Sequence, residues 1–220
     1  MSTASLWPPA FAAAIFDFDG TISDTAALWH EVDETFLAER GIPYDPDYPK
    51  VLSTLGFAAG AEHTIRRFGL DERPEDICDE WMRTGRALYQ SKATLRPGAR
   101  RYIEALRGCG VRVGLATTNA PEVLFSMRGI DVRHLFDVVV TSAECDVPKD
   151  RPDIYLMCAD RLQMDPGRTM VFEDIVPGIQ AARGAGFITC GVRSGDPNQH
   201  EGAVRAAAHA WLTGWEGLLG

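Results

Sequence analysis

The 220-residue chain has no apolar run long enough to cross a bilayer, no CxxC pair, no block of like basic residues and no low-complexity tract. The first absence argues against a transmembrane helix. Its five cysteines (Cys78, Cys109, Cys145, Cys158, Cys190) are odd in number and widely spread, so neither a disulfide framework nor a zinc site is expected, and they read as mostly buried thiols. With 22 basic against 31 acidic residues the net charge is -9, which speaks against nucleic acid or an anionic membrane as partner. Met1–Pro9 lacks the positive-then-apolar pattern of a signal peptide, giving a cytoplasmic expectation. The 45% hydrophobic content is ample for a packed interior, as one large domain or a core with a small second unit.

Short β-rich runs recur at Ala12–Phe18, Val111–Ala116, Asp137–Thr141, Thr169–Phe172 and Phe187–Val192. Continuous apolar runs of this kind suit strands covered on both faces. Pro97–Gly108, Pro121–Arg128, Pro152–Gln163 and Val176–Gly186 read as helices between them, several opened by proline and closed by glycine. Asp196-Pro197-Asn198 marks a turn before a last helix, and the Ala-rich tail Ala203–Ala210 is too mixed to be a repeat. The alternation predicts an α/β fold with a doubly wound parallel sheet, a Rossmann-like core.

Residues 25–94 break the alternation. Leu28–Glu39, Ala59–Phe68 and Glu75–Gln90 have amphipathic helical patterns with no convincing strand, so this stretch reads as an inserted helical unit and residues 1–24 with 95–220 as the core. Thr21–Thr25 and Ala93–Gly98 are the short connections about which such a unit could hinge.

At the end of the first apolar run stands Asp17-Phe18-Asp19-Gly20-Thr21. Residues two apart on an extended chain project the same way, so Asp17 and Asp19 can share one small site, a nucleophile beside an acid/base. Two carboxylates that close repel and call for a cation. A calcium loop of the EF-hand type would want a third alternating ligand, a glutamate at its twelfth position and flanking helices, none of which this segment supplies.

The pentapeptide, extended by Ile22-Ser23-Asp24-Thr25, resembles the first motif of the haloacid dehalogenase-like hydrolase superfamily in its phosphatase and phosphomutase branch. Thr117 in Thr117-Thr118-Asn119 matches the second motif; by the resemblance it donates to a phosphate oxygen, with Gly20, Thr118 and Asn119 completing the phosphate site. Lys149, followed by Pro152-Asp153-Ile154-Tyr155, resembles the third motif, with Asp150 where proline is common. Glu173-Asp174, after Thr169-Met170-Val171-Phe172, resembles the fourth, with Ile175 where serine is frequent. The resemblance implies a helical cap over the site and Mg2+ held by Asp17, the backbone carbonyl of Asp19 and Asp174, with Glu173 on or near the metal. It spans Asp17 to Asp174 in order, nearly the whole chain.

The activity so implied is a phosphatase acting on a small phosphorylated metabolite through an aspartyl-phosphate, with Asp17, Asp19, Thr117 and Lys149 catalytic and the protein a monomer or homodimer. A β-phosphoglucomutase-like enzyme is the nearest alternative; Leu55-Gly56-Phe57-Ala58-Ala59 lacks the arginine such caps carry. A dehalogenase would give Asp19 nothing to protonate, and neither Lys50 nor Lys92 has the setting of a Schiff-base lysine. An idle phosphate-binding protein is the alternative outside enzymes. In the cap, His63, Arg66 and Arg67 are candidates to reach an anionic substrate group, and Trp29, His30 and Trp81 to line a pocket.

Overall fold

The computed structural model describes residues 5–52, 55–145 and 147–219, so the first four residues of the Met1–Pro9 segment lie outside the described residues. Six strands, β1 (Ala13–Phe16), β2 (Arg112–Ala116), β3 (Val138–Val140), β4 (Thr169–Glu173), β5 (Ile188–Val192) and β6 (Ala210–Leu212), form one sheet. Its order is β3-β2-β1-β4-β5-β6 and every pairing is parallel. β1 is central, with Phe16 level with Leu115 on one side and Phe172 on the other. Each of its four residues is fully buried, which is why its sequence runs apolar without alternation.

The two sheet faces carry different layers, as the pleat requires. On one, Phe16 stacks on Phe172 with ring centroids 4.7 Å apart, and Tyr102 and Trp215 close around them. On the other, Ile15 and Val171 pack with Tyr155, Cys158 and Leu162. These helix residues belong to α8 (Asp153–Leu162), which follows α5 (Ala99–Gly108), α6 (Pro121–Leu124) and α7 (Val132–Leu135); α9 (Val176–Gly184) and α10 (Glu201–Ala207) complete the layers.

Several expected boundaries change. The first strand stops at Phe16 rather than Phe18, because the chain turns there: the amides of Ile22 and Ser23 both bond the Phe18 carbonyl, at 3.1 and 3.0 Å. The helix expected over Pro121–Arg128 ends at Leu124, where the Ser126 hydroxyl takes the Val123 carbonyl at 2.7 Å and competes with helix continuation. The end of the Ala-rich tail contributes strand β6, set by its pairing with β5 rather than by local β propensity. Cys145, Cys158 and Cys190 are buried as expected, but Cys78 is half-buried and Cys109 is exposed.

Between β1 and α5 come α1 (Ala26–Glu39), α2 (Asp47–Leu52), α3 (Phe57–Phe68) and α4 (Pro74–Lys92). Their apolar faces build a separate core from Val32, Phe36, Leu37, Tyr48, Ala61, Ile77 and Trp81. Arg40 ties it together, lying 3.6 Å over the Phe36 ring and bonding both Glu72 and Glu80. The six residues of α2 are too few to present a helical period, so only packing reveals it. The two connections to the sheet meet at an antiparallel bridge between Ser23 and Leu95, reinforced by a 2.6 Å bond from the Ser23 hydroxyl to the Thr94 carbonyl.

Candidate active site

In a parallel sheet, residues just past the carboxyl ends of neighbouring strands converge. Asp17 follows β1, Thr117 follows β2, Lys149 lies between β3 and α8, and Asp174 follows β4. Asp17, Asp19, Thr118, Asn119, Lys149, Glu173 and Asp174 all face one cavity of about 250 Å³. Its other wall comes from the helical unit, including Trp29, His30, Asp33, Phe57 and Trp81.

Lys149 is buried and its ammonium bonds Asp17 Oδ1 and, at 2.7 Å, Glu173 Oε1. Glu173 is already saturated: Tyr155 donates to the same oxygen at 2.9 Å, and the amides of Asp174 and Ile175 donate to the other at 2.7 and 3.0 Å. Four donors thus fix Glu173 as the anchor that aims Lys149 at Asp17. Tyr155 is the terminal member of the lysine motif, so the Pro-Asp-Ile-Tyr frame acts by placing one hydroxyl against Glu173. Gly178 is required there: a Cβ would stand 2.8 Å from the Glu173 carboxyl carbon.

Electrostatics follow from burial. Desolvation pushes the Asp17 carboxyl up to about 7, against the pull of Lys149, and pushes Asp174 well above the carboxylate range. Burial alone would lower Lys149, but Asp17 and Glu173 more than reverse this and keep it an ammonium. Oxygens of Asp17, Glu173 and Asp174 lie within 4.8 Å of one another, and Asp17 Oδ2 is buried without a hydrogen-bond partner. An orphaned carboxylate oxygen beside further buried carboxylates is a donor set that suits a hard divalent cation. Gly20, at φ +79°, brings the turn after β1 against Asp174; a Cβ there would lie 2.2 Å from Asp174 Oδ2.

Asp19 is held apart from this charge cluster. Its Oδ1 accepts from Thr25 at 2.5 Å and from the Tyr89 hydroxyl, and its Oδ2 accepts from Asn119 Nδ2 at 2.7 Å. Tyr89 in turn accepts from Trp29 at 3.1 Å and Asn119 at 2.8 Å. Burial raises the Asp19 pKa, while the bonds from Thr25 and Tyr89 pull it back. Two acids two residues apart therefore sit in different surroundings, as separate roles demand.

Of the anticipated phosphate-site residues, Thr118 is exposed to the cavity. Thr117 is buried and its hydroxyl accepts from the Asn119 amide at 3.1 Å, and Asn119 spends its side-chain amide on Asp19 and Tyr89. Trp29, His30 and Trp81 line the cavity, as expected. His63, Arg66 and Arg67 do not: Arg66 pairs with Glu62 at 3.4 Å, and Arg67 pairs with Asp45. Arg66 and Arg67 lie on the exposed side of α3, whereas His63 is half-buried with its Nε2 enclosed and unpartnered. Sequence reading missed Tyr89 and Gln199, whose side-chain amide bonds the carbonyls of Asp174 and Val192, both at 2.8 Å. Neither sits in a motif, and no local signal marks either.

The model of the haloacid dehalogenase-like hydrolase family matches residues 14–192. The chain is 34% identical over 196 residues to the β-phosphoglucomutase of Bacillus subtilis, covering 84% of each. It is 28% identical over 176 residues to the phosphorylated carbohydrates phosphatase of Thermotoga maritima, covering 80% of this chain and 82% of that one. Among solved structures, CbbY from Rhodobacter sphaeroides in complex with phosphate superposes with a TM-score of 0.80 at 26% identity, over 94% of this chain and 96% of that one. Motif order, sheet topology and the match across most of its length agree: this chain belongs to the haloacid dehalogenase-like hydrolases.

Proposed function

We propose that the protein is a Mg2+-dependent phosphatase that hydrolyses a small phosphorylated metabolite through an aspartyl-phosphate on Asp17. The observation that carries this reading is the separation of the two aspartates: Asp17 lies against Lys149, whereas Asp19 is gripped by Thr25, Tyr89 and Asn119. A protein that merely bound phosphate would need no second, independently held acid.

In the first step Asp17 attacks phosphorus in line; the Asp17 O–P bond forms as the P–O bond to the leaving group breaks, and Asp19 gives that oxygen its proton. In the second, Asp19 takes a proton from water, which attacks phosphorus and frees Asp17 and inorganic phosphate. Lys149 and Thr117, with the amides around Thr118 and Asn119, offset charge on the equatorial oxygens. Asp17, Asp174 and the Asp19 carbonyl would hold Mg2+, with Glu173 beside it as the anchor of Lys149. When bound, the ion supplies positive charge to the transferring phosphoryl group. Residues 25–94 act as a cap over the cavity, moving about the paired connections at Ser23 and Leu95.

The test is phosphate release from a panel of phosphomonoesters, including an aryl phosphate, with Mg2+ and with a chelator. Release should require the metal and vanish in Asp17→Asn while that variant keeps its fold; a fully active Asn variant sinks the nucleophile assignment. The mutase reading draws on the Bacillus relative, and formation of glucose 6-phosphate from β-glucose 1-phosphate would put it first.

A further inference from the structure

Among the described residues, the cavity's wall on the cap side offers no cation that is not already matched by a carboxylate. Among its lining residues the only lysine or arginine is Lys149, already engaged by Asp17 and Glu173, and the one histidine, His30, stands 3.5 Å from Asp196. None of the cap's arginines and lysines lines the cavity, and six of them pair elsewhere: Arg40 with Glu72 and Glu80, Lys50 with Asp47, Arg66 with Glu62, Arg67 with Asp45, Arg73 with Asp76, Lys92 with Glu31. The internal residues outside the description, Ser53, Thr54 and Asp146, carry no positive charge that could alter this.

What faces the cavity from the cap is mostly apolar, with Trp29, Leu52, Phe57 and Trp81 among its walls; its polar groups are His30, the buried and unpartnered indole N–H of Trp81, and one carboxylate, Asp33. Asp33 is 8% exposed and has neither a hydrogen bond nor an ion pair among the described residues. Its burial pushes its carboxyl up to about 7, with the neighbouring His30 pulling the other way. A buried carboxyl without a donor is costly unless something entering the cavity supplies one.

We infer that the substrate is a phosphomonoester whose leaving alcohol has an apolar body, no second anionic group, and a hydrogen-bond donor that meets Asp33. This rests on the phosphatase reading and narrows it. A second phosphate or carboxylate entering this end would lie beside Asp33 and Asp196 with no free cation to receive it, whereas a hydroxyl or ammonium would satisfy Asp33 between aromatic walls. Bisphosphates and phosphorylated carboxylic acids are thereby disfavoured.

The experiment uses three aryl esters of equal size: 4-hydroxymethylphenyl, 4-aminomethylphenyl and 4-carboxyphenyl phosphate. Their binding to Asp17→Asn with Mg2+ is measured by calorimetry, and their hydrolysis by the unaltered enzyme is followed separately. The hydroxymethyl and aminomethyl esters should bind at least about tenfold tighter than the carboxy ester, and Asp33→Asn should narrow that gap. Preference for the hydroxymethyl or the aminomethyl ester then says which donor Asp33 takes. Equal or tighter binding of the carboxy ester, an unchanged gap in Asp33→Asn, or no binding of the hydroxymethyl ester at millimolar concentration overturns the inference. Discrimination in binding without hydrolysis of any ester would uphold the pocket's preference while removing the phosphatase.

Discussion

The hydroxyl of Tyr89, on α4, donates a hydrogen bond to Oδ1 of Asp19, on the turn that follows β1. A residue of the helical unit thus completes the setting of Asp19, the proposed acid/base, so that setting depends on how the unit sits over the sheet.

Removing this hydroxyl should therefore be a catalytic lesion first, with a structural cost confined to the Trp29 indole N–H that loses its acceptor. A hydrogen bond to a charged group contributes about 1.5–3 kcal/mol. Tyr89→Phe should lower kcat about tenfold or more, leave KM nearly unchanged, and shift upward the pH at which the Asp19 limb of the profile falls, because the carboxylate form of Asp19 loses a donor. An unchanged pH profile and kcat would show that the bond positions nothing.

Lys149 is the cation between two buried carboxylates, and its loss should be felt in stability as well as rate. Lys149→Met leaves Asp17 and Glu173 facing one another, a change that costs about 3–5 kcal/mol for a broken buried pair, or roughly 10 °C in Tm. The loss should deepen as pH rises, since protonation relieves the uncompensated carboxylates at low pH. Glu173→Gln, which leaves Lys149 against Asp17, should cost less. A Tm for Lys149→Met equal to the parent at neutral and alkaline pH would contradict this account.

His30, on α1, meets Asp196, beyond β5, so this pair joins the helical unit to the sheet. The hydrogen bond to Asp196 raises the His30 pKa against the effect of burial, with Asp33 and Glu34 adding to the rise, and the same bond lowers Asp196. A histidine whose folded-state pKa is raised stabilises fully below its unfolded value of 6.5, and that contribution fades as pH climbs through the folded-state value. Asp196→Asn should cost about 0.5–1 kcal/mol near pH 5.5 and almost nothing near pH 8.5, read as the Tm difference from the parent. A difference independent of pH would mean that no ionised pair forms.

Much of the sheet was legible in the sequence because its strands are buried on both faces. The run Ala13-Ala14-Ile15-Phe16 has no polar residue for the same reason that it has no exposed side. β6 was not legible: Ala210-Trp211-Leu212 becomes a strand only by pairing with Cys190-Gly191-Val192. Likewise α2 is too short to show a period.

For the site, sequence by itself determined the order Asp17, Asp19, Thr117, Lys149, Asp174, since each follows or precedes a strand whose end must lie at one edge of a parallel sheet. Only the tertiary structure decided what those residues touch. It turned Glu173 into the anchor of Lys149, gave Asn119 and Tyr89 to Asp19, kept Arg66 and Arg67 off the cavity, and brought Asp33 to it. The physical reason is separation along the chain: a motif records neighbours a few residues apart, whereas the bond between Tyr89 and Asp19 spans 70 residues and exists only once two cores have packed.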